Sequence, residues 1–243
     1  MAQVTPRAIV ALDVPSFPQA RALVEQLGDQ CDFYKVGSEL YTASGPRVVE
    51  WLRERGSDVF LDLKFHDIPN TVRGAARSAA ALGARLITVH AVGGRAMMEA
   101  AVDGAGEQCD VFAVTVLTSH DAAGLGTVWG REISSVRDEV LRLAGIAHSA
   151  GVQGIVCSGA EAEAVHQRFG SALTLLVPGI RLPGGAAHDQ QRVMTPADAA
   201  RTGATYLVIG RAVTQAADPQ AAMAEVRAAL RACEEPAAAR RAT

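Results

Sequence analysis

The chain has 243 residues, of which 49% are hydrophobic and 20% charged, with a formal net charge of −3. This balance lies outside the range of disordered chains and indicates a globular protein with a sizeable core, and it leaves no electrostatic footprint for nucleic acid or an anionic membrane. No apolar stretch approaches the roughly 18 to 20 residues that cross a bilayer, and the opening MAQVTPRAIVALDV lacks the features of a secretion signal, so the expected location is the cytoplasm.

Short apolar runs recur along the chain, each of a length suited to a buried strand. They are AIVAL at 8–12, DFYKVG at 32–37, DVFLDL at 58–63, ARLITVH at 84–90, DVFAVTVL at 110–117, VQGIVC at 152–157, LTLLVPG at 173–179 and TYLVIG at 205–210. Between them lie stretches with apolar residues at helical spacing, among them FPQARALVEQLG, GPRVVEWLRERG, TVRGAARSAAALG and SVRDEVLRLAGIAHSAG, several ending in Gly as a helix C-cap does. Alternating strand and helix signals predict parallel sheet, because parallel neighbours need crossover connections. Eight such units in a chain of this length predict a single-domain closed (β/α)8 barrel over 1–233, followed by a polar, frayed tail at 234–243. A doubly wound open sheet is the competing architecture, weakened because ALDVPS stands where a Gly-rich dinucleotide fingerprint would follow the first strand. The cysteines Cys31, Cys109, Cys157 and Cys233 are scattered without C-x-x-C or His at ligand spacing, and are expected to be reduced and structural.

The third run continues as VFLDLKFHD, and strand alternation puts Leu61 and Leu63 on one face and Asp62 and Lys64 on the other. With the leucines toward the helices, both charges face the barrel interior near its C-terminal mouth, where barrel enzymes carry out chemistry, and Asp67 follows in the loop beyond. Asp13 ends the first run and Lys35 lies in the second, so neighbouring strands can assemble an alternating array of acids and bases. Such an array keeps lysines protonated, since nearby opposite charge favours the charged form. A purely structural ion-pair network is the plainer alternative, less suited to four charges at three strand ends.

Two further loops have the character of phosphate machinery. LVPGIRLPGGAAHDQQR follows the seventh run and VIGRAVTQAADP the eighth, the places where barrels frequently hold phosphate with backbone N–H groups. Gly210 permits close backbone approach, and Arg211 or Arg181 can supply a charge-assisted contact. The Gly/Pro-rich stretch 182–187 is a candidate lid.

Taken together, ALDV at 11–14, KVG at 35–37, FLDLKFHDIPNTV at 60–72, VHAVGG at 89–94, VLTS at 116–119, PGIR at 178–181, DQQRVMTP at 189–196 and VIGRAVTQAADP at 208–219 span essentially the whole chain. In these the sequence resembles the orotidine 5'-phosphate decarboxylases, with D-x-K-x-x-D-I-P-N-T as the most specific motif. The resemblance implies a TIM barrel of the ribulose-phosphate-binding type that converts orotidine 5'-monophosphate (OMP) to UMP, the last step of de novo pyrimidine biosynthesis, without metal or cofactor. It implies a catalytic tetrad of Lys35, Asp62, Lys64 and Asp67, with Asp67, Ile68 and Thr71 entering the site of a partner subunit, hence a homodimer with shared active sites. It further implies that Asp13 and Lys35 bind the ribose, that Thr118 reads the pyrimidine, and that Arg181, Gln190, Gly210 and Arg211 hold the phosphate. Gln190 is preferred to Gln191 because it directly follows Asp189, and His90 is left outside the catalytic set. Two alternatives carry different chemistry: a Mg-dependent sugar-phosphate lyase like 3-keto-L-gulonate 6-phosphate decarboxylase, disfavoured because Lys35 would repel the metal, and a non-catalytic barrel that binds a phosphorylated ligand.

Overall fold

A computed structural model describes residues 6–181 and 194–233. Eight strands, β1 (Arg7–Ala11), β2 (Phe33–Gly37), β3 (Asp58–Phe65), β4 (Leu86–His90), β5 (Asp110–Val114), β6 (Gly154–Val156), β7 (Thr174–Val177) and β8 (Tyr206–Ile209), pair in sequence order, and β8 returns to β1. Every pairing is parallel and the barrel is closed, which excludes the open doubly wound sheet. All eight apolar runs became strands. The expected tail at 234–243 and the candidate lid at 182–187 lie outside the described residues.

Strand alternation divides the core in two. Ile9, Ala11, Phe33, Phe60, Leu86, Phe112, Leu176 and Val208 point inward and plug the barrel, with Tyr206 edge-on to both Phe33 and Phe112. Their neighbours Val10, Val36, Leu61 and Ile87 point outward into the layer between barrel and helices. Because the lower interior is filled with aromatic and aliphatic side chains, only the upper ends of the strands are left to build a cavity.

Helix boundaries follow local chemistry. Ser16 caps Phe17–Leu27 by accepting from the Gln19 N–H, and Asp218 caps Pro219–Arg231 by accepting from Ala221, each with Pro in the first turn. The glycines closing the four helical stretches quoted above, Gly28, Gly56, Gly83 and Gly151, all take positive φ, which costs glycine no Cβ strain. Helix Ala122–Trp129, AAGLGTVW, is apolar on nearly every side and so carries no helical period; Leu125 is its one buried residue. No described helix is long and apolar enough to cross a membrane. All four cysteines are free thiols, with Cys31, Cys109 and Cys157 buried, and burial pushes the Cys31 and Cys109 thiols up to about 11 and about 12.

Candidate active site

Above the apolar plug, β2 and β3 and the residues just beyond β1 deliver charged side chains. Phe33 pairs with Asp58, Lys35 with Phe60 and Gly37 with Asp62, so Lys35 and Asp62 stand one inward step above Phe33 and Phe60. At the mouth, the Lys35 Nζ donates to Asp13 Oδ1 at 2.7 Å and lies 3.7 Å from Asp62 Oδ2. The Lys64 Nζ donates to both Asp62 oxygens at 2.9 Å. Acids and amines therefore alternate through Asp13, Lys35, Asp62 and Lys64, as the sequence pattern suggested.

Burial by itself would raise the Asp62 carboxyl. The charges of Lys35 and Lys64 and the hydrogen bonds from Lys64 and Thr88 outweigh it, holding this carboxyl below the usual carboxylate range. Asp62 is thus an anion at neutral pH, and the two ammonium groups beside it are its counterions.

Two details of this array are set by contacts that strand alternation does not encode. Lys64 has φ of 50°, the sole positive value among the described non-glycine residues, in a region that costs an L-residue roughly 1–2 kcal/mol. It sits where β3 loses register with β4, between Leu61 and Phe65. The leucines do face the helices and the charges the interior, but that outcome passes through a bulge, not a regular strand. Such strain clusters at functional sites because surroundings must impose it. The second detail is Gly37, where a Cβ would come within 2.9 Å of the Lys35 Nζ and 3.2 Å of Asp13 Oδ1. The glycine of KVG is what leaves room for this ion pair.

A cavity of about 530 Å³ opens over the array, within the size range of small-molecule sites. It brings together the predicted residues Asp13, Lys35, Asp62, Lys64, Thr118, Arg181, Gly210 and Arg211. Cys157 also lines it, which the structural reading of the cysteines did not foresee. Beyond β8, which pairs with β1, Gly210 caps the short helix Arg211–Thr214. A Cβ on Gly210 would meet nothing nearer than 4.0 Å, so the protein's own packing does not demand a glycine there. Burial and the nearby charge of Arg211 both lower the Arg181 pKa, so two guanidinium groups share one edge of the cavity. An anion relieves that repulsion.

Asp67, Ile68 and Thr71 are not in the cavity of their own chain. All three are exposed around the start of helix Pro69–Ala81, Ile68 at 68% exposure, and Asp67 Oδ1 accepts from the Ile68 N–H at 2.6 Å. Gln190 lies outside the described residues. His90 does not line the cavity; its ring is 5.6 Å from that of His66, and burial, with the charges of His66 and Lys64, lowers its pKa.

Fold and site together define a (β/α)8-barrel enzyme with an alternating array of ammonium and carboxylate groups at the C-terminal mouth, in a cavity that a pair of arginines also lines. Residues 6–226 match the family described as "Orotidine 5'-phosphate decarboxylase / HUMPS family", and the chain belongs to that family. Among its relatives, the orotidine 5'-phosphate decarboxylase of Halorhodospira halophila is 50% identical over 228 residues, covering 93% of this chain and 96% of that protein. The one from Moorella thermoacetica is 45% identical over 92% of both chains. The crystal structure of orotidine 5'-phosphate decarboxylase from Lactobacillus acidophilus superposes with a TM-score of 0.83 at 37% identity, covering 93% of this chain and 99% of that one.

Proposed function

We propose that this chain decarboxylates OMP to UMP, with Lys64 as the group that stabilises and protonates the carbanion at C6. The observation that carries this reading is the Lys64 ammonium, held 2.9 Å from both oxygens of an ionised Asp62 in the cavity that also contains Arg181 and Arg211. Loss of CO2 leaves an electron pair in the plane of the pyrimidine, poorly placed to spread into the ring. A fixed cation beside C6 then provides the largest available stabilisation, and the same amine delivers the proton.

Asp62 and Lys35 serve this chemistry by fixing where positive charge sits. A carboxylate near the substrate's own carboxylate also repels it, by roughly 4 kcal/mol at 4 Å and an effective dielectric of 20. The repulsion ends when CO2 departs. Asp13 and Lys35 bind the ribose, Thr118 reads the base, and Arg181, Gln190, Gly210 and Arg211 hold the phosphate, whose binding energy orients the ring at a distance.

The enzyme works as a cytoplasmic homodimer, with Asp67, Ile68 and Thr71 completing the partner's site. What supports this is that all three are exposed and lie outside the cavity of their own chain. No cofactor is required. The Lys35 ammonium stands between Asp13 and Asp62, where its charge would repel a metal ion. The deciding assay follows the fall in OMP absorbance with EDTA present. Undiminished turnover is expected; turnover that EDTA abolishes would favour the Mg-dependent lyase, and none under any condition would leave a binding barrel.

A further inference from the structure

Thr88 lies on β4, 0% exposed and outside the cavity wall, yet its hydroxyl touches both members of the central ion pair. It donates to Asp62 Oδ1 at 2.8 Å and accepts from the backbone N–H of Lys64 at 3.0 Å. The second bond has a topological cause. β3 and β4 are in register at Phe60–Leu86 and Leu61–Ile87 and again at Phe65–Val89, so β3 takes four steps (61 to 65) while β4 takes two (87 to 89). The bulge carries Lys64 at positive φ, and its N–H is taken up by the threonine hydroxyl.

We propose that Thr88 is a positioning residue for the decarboxylation: its hydroxyl ties the backbone of Lys64 and the carboxylate of Asp62 to one point, so the ammonium is held where the bond to CO2 breaks. This rests on the reading of Lys64 given above. The role needs a group that donates and accepts at once on a stiff side chain, which threonine supplies and isosteric valine does not. A valine would leave a carboxylate oxygen short of one donor and a peptide N–H in the bulge without an acceptor, and the bulge would lose what fixes it.

Thr88→Val should lower kcat by about ten- to a hundredfold with KM little changed, the signature of an interaction that matters in the transition state. Thr88→Ser, which keeps the hydroxyl, should recover most of the loss. A second readout follows from the groups facing Asp62: Lys35 on β2, Lys64 on its own strand, Thr88 and His90 on β4 and, beyond Lys35, Asp13. Thr88 is one of the partners that keep the Asp62 carboxyl low. Removing its hydrogen bond lets that carboxyl rise, so the acid limb of the kcat–pH profile should move to higher pH in the valine variant and return in the serine variant.

A valine variant with normal kcat and an unmoved acid limb would overturn the proposal. So would a serine variant as impaired as the valine one, because packing of the methyl group would then be responsible. If the valine chain fails to fold, Thr88→Ala is judged against Thr88→Ser in the same way. Lys64→Ala measured alongside separates the two levels: an active Lys64→Ala removes the underlying reading, whereas an inactive Lys64→Ala beside a normal Thr88→Val removes this proposal alone.

Discussion

Lys64→Ala should lower kcat by about 10⁴-fold or more, because one substitution removes both the cation that meets the developing charge and the acid that quenches it. Acid–base catalysis is worth about two to four orders of magnitude and electrostatic stabilisation about two to three, and the proposed function puts both on one Nζ. The fold should survive the change. Asp62 would keep the Lys35 ammonium at 3.7 Å and the Thr88 hydroxyl at 2.8 Å, so its charge would not be stranded. Circular dichroism and thermal melting should therefore show a folded chain beside steady-state kinetics that show almost no turnover. A folded variant with near-normal turnover would remove Lys64 from the chemistry.

Asp67→Ala should be comparably inactive alone, but mixing it with Lys64→Ala should restore activity. In a two-fold symmetric dimer whose sites each take Lys64 from one chain and Asp67 from the other, every mixed dimer has one site with both defects and one with neither. Random exchange of subunits would then return roughly a quarter of wild-type activity from two inactive preparations. The basis is the position of Asp67 outside the cavity of its own chain, next to the exposed Ile68. If the mixture stays inactive although subunits demonstrably exchange, Asp67 acts within its own chain or not at all.

How far the sequence reached into this site depends on which interactions are local. Period-two alternation in VFLDLKF points the leucines outward and the charges inward, as the structure has them although Leu63 and Lys64 reach those faces through a bulge, and the strand ends of β1 and β2 were enough to bring Asp13 and Lys35 to them. The placement of Gly210 and Arg211 on the same cavity was equally legible, since they follow β8 directly.

What stayed hidden depends on contacts between strands. The bulge that strains Lys64 exists only in the register of β3 against β4. Gly37 is informative only once Lys35 and Asp13 are known to occupy the space of its missing Cβ. Thr88 did leave a trace. In LITVH it shares the inward face with Leu86 and His90, a lone hydroxyl on a buried strand, but alternation cannot say which charged pair it will meet.

The chemistry assigned to Lys64 is most directly tested by running the protonation step backwards, without CO2. An amine that donates a proton to the C6 carbanion must also accept one from C6 of UMP. In heavy water, the wild-type chain should exchange the C6 hydrogen of bound UMP for deuterium, as followed by NMR, and Lys64→Ala should lose that exchange while still binding the nucleotide. Exchange at the wild-type rate in Lys64→Ala would contradict the assignment, because the carbanion would then be stabilised and protonated by something else.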